Sequence, residues 1–416
     1  MFVEILCAGA LQLAVRGDTI DLTMAEVAAR AVAASPAVAT AAGAIRAPLG
    51  LKSEWWGPFA GNPTIEVGRT NRQSPLGKFD DRAWAVSQEV DPLAWRERRR
   101  AAESEITSIG ARRRDVERMV ALEAQRAYIA LAIAQRRATL TDSAASFAER
   151  LAAYAKRQFD AGETNRLELN ATTLEAARAR SAAERADAAR AAAGAEVARL
   201  LALPATITLR AVDLPLLPDP STVADTTLIA AGLANRQDLR AAEAAREGAE
   251  RRLSSTRLAL LPTVTMAMTG GQESGTDRLT GFQVGLQVPL FHRQQAATGE
   301  AEALRVAATS EAIAARRAIQ AEVQGAAALY RRGRSAEQRF TANVLPAANE
   351  NVRLVERALA EGEVNLTEVL VLRGAAVGAQ LEYLDVLRDA VEAWVGLAAA
   401  VAANPQDLDR LIRRGN

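Results

Sequence analysis

One cysteine and one histidine among 416 residues leave almost nothing from which to build a soft-metal site or a histidine-based catalytic triad. Aromatic residues are only 4% of the chain, and long tracts are Ala, Arg and Glu, which reads as mostly long helix rather than as a globular enzyme core. Net charge is missing too: 51 Lys plus Arg stand against 50 Asp plus Glu, so no overall field draws the chain towards nucleic acid. The basic blocks Arg96 to Arg100 and Arg112 to Arg114 are interleaved with or followed by acids and read as solvated helix faces. The apolar start, Met1 to Val15, carries Glu4, lacks a basic leader and is too short to cross a bilayer as a helix. Residues 1–20 therefore read as a signal-peptide remnant or a disordered terminus. Cys7 follows Leu6, where lipidation wants a small residue, and reads as a plain apolar cysteine.

What is present is a duplication. Arg157-Gln-Phe-Asp-Ala-Gly162-Glu163-Thr-Asn165-Arg-Leu-Glu168 is matched 200 positions on by Arg357-Ala-Leu-Ala-Glu-Gly362-Glu363-Val-Asn365-Leu-Thr-Glu368. In each copy Ala-rich helical sequence runs into a glycine able to close a helix C-terminus, and three residues later an asparagine can cap the next helix. Glu168 and Glu368 stand at the spacing of a capping box. Each copy is thus a tight turn between two helices.

The flanking pattern repeats as well. Thr23 caps a first helix that continues through Pro36 to about Leu51, and Lys52 to Pro63 is irregular. The hydrophobic period then changes to 2: Thr64 to Thr70 and Ala83 to Val90 form a hairpin joined by the polar loop Asn71 to Arg82. A long helix follows over 92–160, free of internal proline, with an apolar seam at coiled-coil spacing and a length of about 100 Å at about 1.5 Å per residue. The tip turn 161–164 and a return helix over 165–203 complete repeat 1, residues 21–209. After the Pro-rich connector 210–221, repeat 2 covers 222–403. It comprises a helix kinked near Asn235 to Asp238, a hairpin over 263–288, a long helix over 289–360, the tip turn 361–364 and a return helix over 365–403, before a tail at 404–416.

Four strands per chain, each with an apolar and a polar or small face, match tilted outer-membrane strands. Lipid tolerates no open sheet edge, and the smallest membrane barrels need about eight strands, so the sheet has to close by oligomerisation, with two copies or three. Trp55, Trp56, Phe59, Trp95 and Phe291 gather at strand ends, either as a membrane-interface girdle or as packing for the helix-to-strand junction. Alanine at most seam positions lets helices approach closely and favours a helical wall around a pore. The fold class is mainly α with a small transmembrane β part: a tandem-repeat coiled-coil α-barrel joined to a β-barrel.

The paired tips at Gly162 and Gly362, the strand starts at Asn62-Pro63 and Leu261-Pro262, and Val288-Pro289-Leu290-Phe291 at the last strand's exit resemble the TolC-like outer-membrane factors of tripartite export systems. The resemblance runs from about Asp21 to Ala403. Within that family, Gln88-Glu-Val-Asp-Pro92 and Pro289-Leu-Phe-His-Arg-Gln-Gln295 look like the heavy-metal branch, partners of cobalt, zinc and cadmium or copper and silver pumps. The resemblance implies a homotrimer with 12 strands in outer-membrane lipid and a periplasmic helical tunnel. A periplasmic adaptor would dock at Gly162, Glu163, Asn165, Gly362, Glu363 and Asn365, and an inner-membrane RND-type pump would stand behind it. The family commonly shows an acid six positions after the second tip glycine, which Glu368 matches and Glu168 mirrors; these two are the candidate pore constriction. It often shows another nine positions after, where this chain has Val371.

The implied function is a passive efflux conduit with no catalytic residue, no cofactor, no resident metal and no nucleic-acid partner. The tip glutamates have capping duties and no apolar pocket to raise a pKa for acid-base work. His292 reads as a junction residue. Drug or other small-molecule export is the alternative cargo. A soluble periplasmic coiled-coil adaptor is the alternative class, against which stand two strand hairpins set at the same point of a repeat.

Overall fold

A computed structural model of the chain describes residues 19–403 and 408, except 76, 205, 220–222, 274–275, 289–290, 292–293 and 362–364. Cys7, His292, Gly362 and Glu363 lie outside the described residues, as do most of the leader and of the tail. The described chain forms two compact units, residues 36–117 with 229–322 and residues 19–35 with 118–228 and 323–408. Each unit gathers corresponding pieces of both repeats. No single helix among the described residues is long and apolar enough to cross a membrane.

The first of these units is built on a four-stranded antiparallel sheet, ordered β2 (Thr64–Ser74), β3 (Gly77–Val90), β5 (Thr263–Glu273) and β6 (Asp277–Gln287). The polar stretch 71–82 is not a loop: the β2–β3 ladder runs on to Ser74 opposite Gly77. Arg69 meets Asp80 at 2.6 Å and Arg72 meets Asp81 at 3.0 Å, so these polar residues pair across the strands instead of forming a loose connection.

The helix leaving β3 starts at a capped junction. The helix from the first strand pair, α4 (Trp95–Asp160), starts where the buried Asp91 carboxylate accepts from the Ala94 amide at 2.9 Å and meets Arg98 at 2.9 Å. The Arg98 guanidinium lies 4.5 Å from the Trp55 ring centre, and Trp56 packs on Phe59 at 5.5 Å while staying 69% exposed. Trp55 thus packs the junction, and Trp56 is available to an interface. The single helix expected before the hairpin is broken: α1 (Met24–Ala34) belongs to the other unit, and α2 (Pro36–Gly43) and α3 (Arg46–Glu54) follow it. The expected kink near 235–238 is a full break between α6 (Asp225–Asn235) and α7 (Gln237–Leu258). There Arg236, only 4% exposed, is held by Asp238 at 2.6 Å and by Glu322 at 2.7 Å. A buried guanidinium needs such partners, and removing one would leave a charge uncompensated.

The other unit contains two strands that were not expected. β1 (Thr19–Leu22) pairs in parallel with β4 (Thr208–Ala211), so the residues assigned to the leader and the connector contain ordered strands. Gln135 of α4 serves this small sheet as a surrogate backbone, donating to the Leu209 carbonyl at 3.0 Å and accepting from the Ala211 amide at 3.1 Å. Tyr128, fully buried, donates to the Asp213 carbonyl at 2.7 Å, and burial pushes its phenol above the ordinary range. Leu22, Val27, Leu131, Val197 and Leu209 close the core beneath. α1 opens with a complete capping box between Thr23 and Glu26.

The second long helix is not α-helical throughout. α8 (Gln295–Arg339) passes into a π-helical turn, Phe340–Val344, before α9 (Leu345–Glu361). Pro346 has no N–H to give and its ring crowds the preceding turn. The chain opens just upstream, where the Leu345 amide donates to the Phe340 carbonyl. Deeper in this unit Tyr330 and Trp394 bury their rings against each other at 5.0 Å, and a β-carbon on Gly333 would stand 3.1 Å from the Ala390 Cα. Close helix packing depends on small residues at that point.

Candidate functional site

At the first tip, between α4 and α5 (Arg166–Leu200), Gly162 adopts φ +80°, a conformation that strains any residue with a β-carbon. Its amide donates to the Phe159 carbonyl at 3.0 Å and the Glu163 amide donates to the Gln158 carbonyl at 2.8 Å, the paired bonds of a Schellman closure. Asn165 caps α5, accepting from the Glu168 amide at 2.9 Å. The capping box is not completed as expected. The Glu168 carboxylate accepts from the Thr164 hydroxyl at 2.5 Å and from the Asn165 side-chain amide at 3.3 Å, because the neighbouring hydroxyl offers a nearer donor than the N-cap backbone. Glu168 is therefore tied to its own turn.

The second tip repeats the cap: Asn365 precedes α10 (Leu366–Val401) and accepts from the Glu368 amide at 2.8 Å. Leu151, Ala155, Val355, Leu366 and Val369 form one apolar cluster that binds the two tips together. Glu368 and Val371 stand exposed on the first turns of α10, and Leu167 is 77% exposed at the first tip. These exposed apolar residues flank the caps of α5 and α10.

Sequence patterns miss the polar framework above the tips. Arg180 of α5 grips Glu149 of α4 through two nitrogens at 2.7 and 2.9 Å, and hydrogen bonding to that guanidinium lowers the Glu149 carboxyl. Arg373 of α10 lies 4.2 Å from the Phe147 ring centre, and Arg137 meets Asp385 at 2.7 Å. A groove of about 440 Å³ runs between α4, α5 and α10, walled by Phe147, Arg178, Leu370 and Arg373 among others. No group of three or more His, Cys, Asp or Glu among the described residues could hold a metal ion.

The sheet in the other unit has two unlike faces. Alternation and register align Ile65, Val86, Met268 and Phe282 in one row, with Val67 and Trp84 on one side of it and Met266 with Val284, then Val264 with Leu286, on the other. This face is apolar and open, with Val67 83% and Phe282 68% exposed. Thr263, Thr265, Ala267, Gln283, Gly285 and Gln287 share the opposite face. That face also carries Glu66, Asp81, Glu89, Glu273 and Asp277, against Arg72 alone. The strands β2 and β6 are its two open edges.

The described chain thus combines long helices in a repeat with an amphipathic open sheet. Residues 228–403 match the family model described as outer membrane efflux protein. Channels of that family are non-enzymatic transport conduits. Solved structures agree in fold. A membrane protein from Pseudomonas aeruginosa is similar over 91% of this chain and 93% of its own, with 19% identity and a TM-score of 0.75. CusC is similar over 93% of both chains with 16% identity and a TM-score of 0.73. The outer membrane protein VceC from Vibrio cholerae is similar over 92% of this chain and 96% of its own, with 14% identity and a TM-score of 0.74. No curated protein matches the sequence.

Proposed function

We propose that the chain is the outer-membrane channel of a tripartite efflux system, assembled as a homotrimer whose sheets close into a 12-strand barrel. The open sheet with one exposed apolar face carries this reading. Its face fits lipid, and its two free edges fit a second and third copy. With four alternating strands, β2 and β6 run in opposite directions, so joining β6 of one copy to β2 of the next continues the antiparallel order. The tips at Gly162, Glu163, Asn165, Gly362, Glu363 and Asn365 dock on a periplasmic adaptor, through which an inner-membrane RND-type pump supplies the energy.

The cargo that fits best is a metal cation. The resemblance of 88–92 and 289–295 to the heavy-metal branch suggests it, and the acidic excess on the polar sheet face, which would line the pore, favours cations independently. Specificity belongs to the pump, since the chain offers one His and one Cys. Single-channel recording in planar bilayers tests this: the wild type should prefer cations, Glu66→Gln/Glu89→Gln should weaken that preference, and Glu368→Gln should weaken it further if Glu368 lines the constriction. A channel without cation preference would rule out the metal-cation cargo, and absence of any conductance would rule out the conduit.

A further inference from the structure

Beyond the apolar rows the lipid-type face changes character. Register sets Arg69, Arg82, Gln272 and Arg278 side by side across all four strands, one row past Val67, Trp84, Gly270 and Thr280. Alternation puts Asp80 and Lys78 on the same face, further towards the hairpin end. That end therefore bears four cationic side chains and one carboxylate, while the opposite face of the same sheet holds the acidic excess. Asp80 lies 2.6 Å from Arg69 and 3.6 Å from Arg82, which steadies both guanidinium stems yet leaves their side chains 68% and 70% exposed. Arg82, Trp84, Gln272, Arg278 and Thr280 border a shallow depression of about 350 Å³.

We propose that this row binds the phosphate groups of outer-leaflet lipids. Resting on the outer-membrane reading above, it stands at the hairpin end of the sheet, opposite the end where α4 leaves, and so at the level of the outer headgroups. Strands lie about 4.8 Å apart, which sets Arg82 and Arg278, two strands apart, near 10 Å from each other. Long guanidinium side chains at that separation can close on one phosphorylated headgroup from both sides. The acyl chains of the same lipid continue over Trp84, Val86, Met268 and Phe282. Aromatic and cationic residues in successive rows are what a membrane interface selects. A nucleic acid or a soluble acidic protein would have no use for the apolar rows that adjoin the cations.

The test uses the full-length assembly in detergent, with bisphosphorylated lipid A as the probe and native mass spectrometry to count bound copies. Wild type should retain lipid A about tenfold more strongly than Arg82→Gln/Arg278→Gln, whereas Arg82→Lys/Arg278→Lys should keep part of the binding. Arg72→Gln, on the opposite face, should bind as wild type does, and assembly mass reports on folding in every variant. Millimolar inorganic phosphate should leave the lipid in place. Equal retention by wild type and the double Gln variant, equal damage from Arg72→Gln, or displacement by inorganic phosphate would each overturn the proposal. A chain that never fractionates with the outer membrane would instead sink the channel reading itself.

Discussion

Gly162 at φ +80° has no neighbour within 4 Å of where a β-carbon would stand, so the cost of Gly162→Val is backbone strain and not collision. That strain is on the order of 1–2 kcal/mol, small for an assembly of this size. On the proposed trimer with docking tips, thermal melts of the variant should therefore show an intact oligomer with a slightly lowered midpoint, while export in cells is lost. Normal export with an altered turn would remove the tip from the docking surface. A second residue-scale expectation concerns acid. Hydrogen bonding to Arg210, at 2.5 and 2.7 Å, holds the Asp21 carboxyl below its ordinary value. Its contribution is then present above about pH 3.9 and is lost as pH falls through the lowered folded value. Protection of the β1 and β4 amides, corrected for intrinsic exchange, should fall as pH drops below about 3.9, and Asp21→Asn should flatten that dependence. An unchanged acid response in Asp21→Asn would assign the effect to other carboxylates.

Elements whose signals are local were legible in the sequence. Thr23, Asn165 and Asn365 are capping types next to periodic apolar residues, and α1, α5 and α10 start directly after them. Both hairpins were visible over the apolar rows, but their polar ends were not. There Arg72 and Asp81 resemble loop residues until the partner strand is known. β1 and β4 escaped because four residues give too little period, and their partners are 189 positions apart, as Thr19 and Thr208 show. The π-helical turn before α9 could have been read from Pro346. At the site, the caps were legible, whereas the clasp of Arg180 on Glu149 depends on helix register that periodicity alone does not set. Register also sharpens an element-scale expectation: Val284 adjoins Met266 on the apolar face, and Gln283 adjoins Ala267 on the other. Val284→Arg should cost about 2–4 kcal/mol in a bilayer refolding assay, and Gln283→Arg little. Equal tolerance would mean that the apolar face does not meet lipid.

At the scale of the whole molecule, mass in detergent should correspond to three copies of the 44.2 kDa chain. A dominant monomer or dimer that retained its strand content would refute the 12-strand closure. The two open edges also bear on kinetics. β2 and β6 are eleven residues each, and neither edge can be left facing hydrocarbon. On the proposed barrel, a solitary copy has no long-lived inserted state, and crossing into the bilayer and meeting the other copies become one event. The rate at which folded protein appears in liposomes should then climb faster than the first power of chain concentration, steepening towards the third as the chain is diluted. Strictly first-order insertion would mean that each copy covers its own edges before it reaches its neighbours.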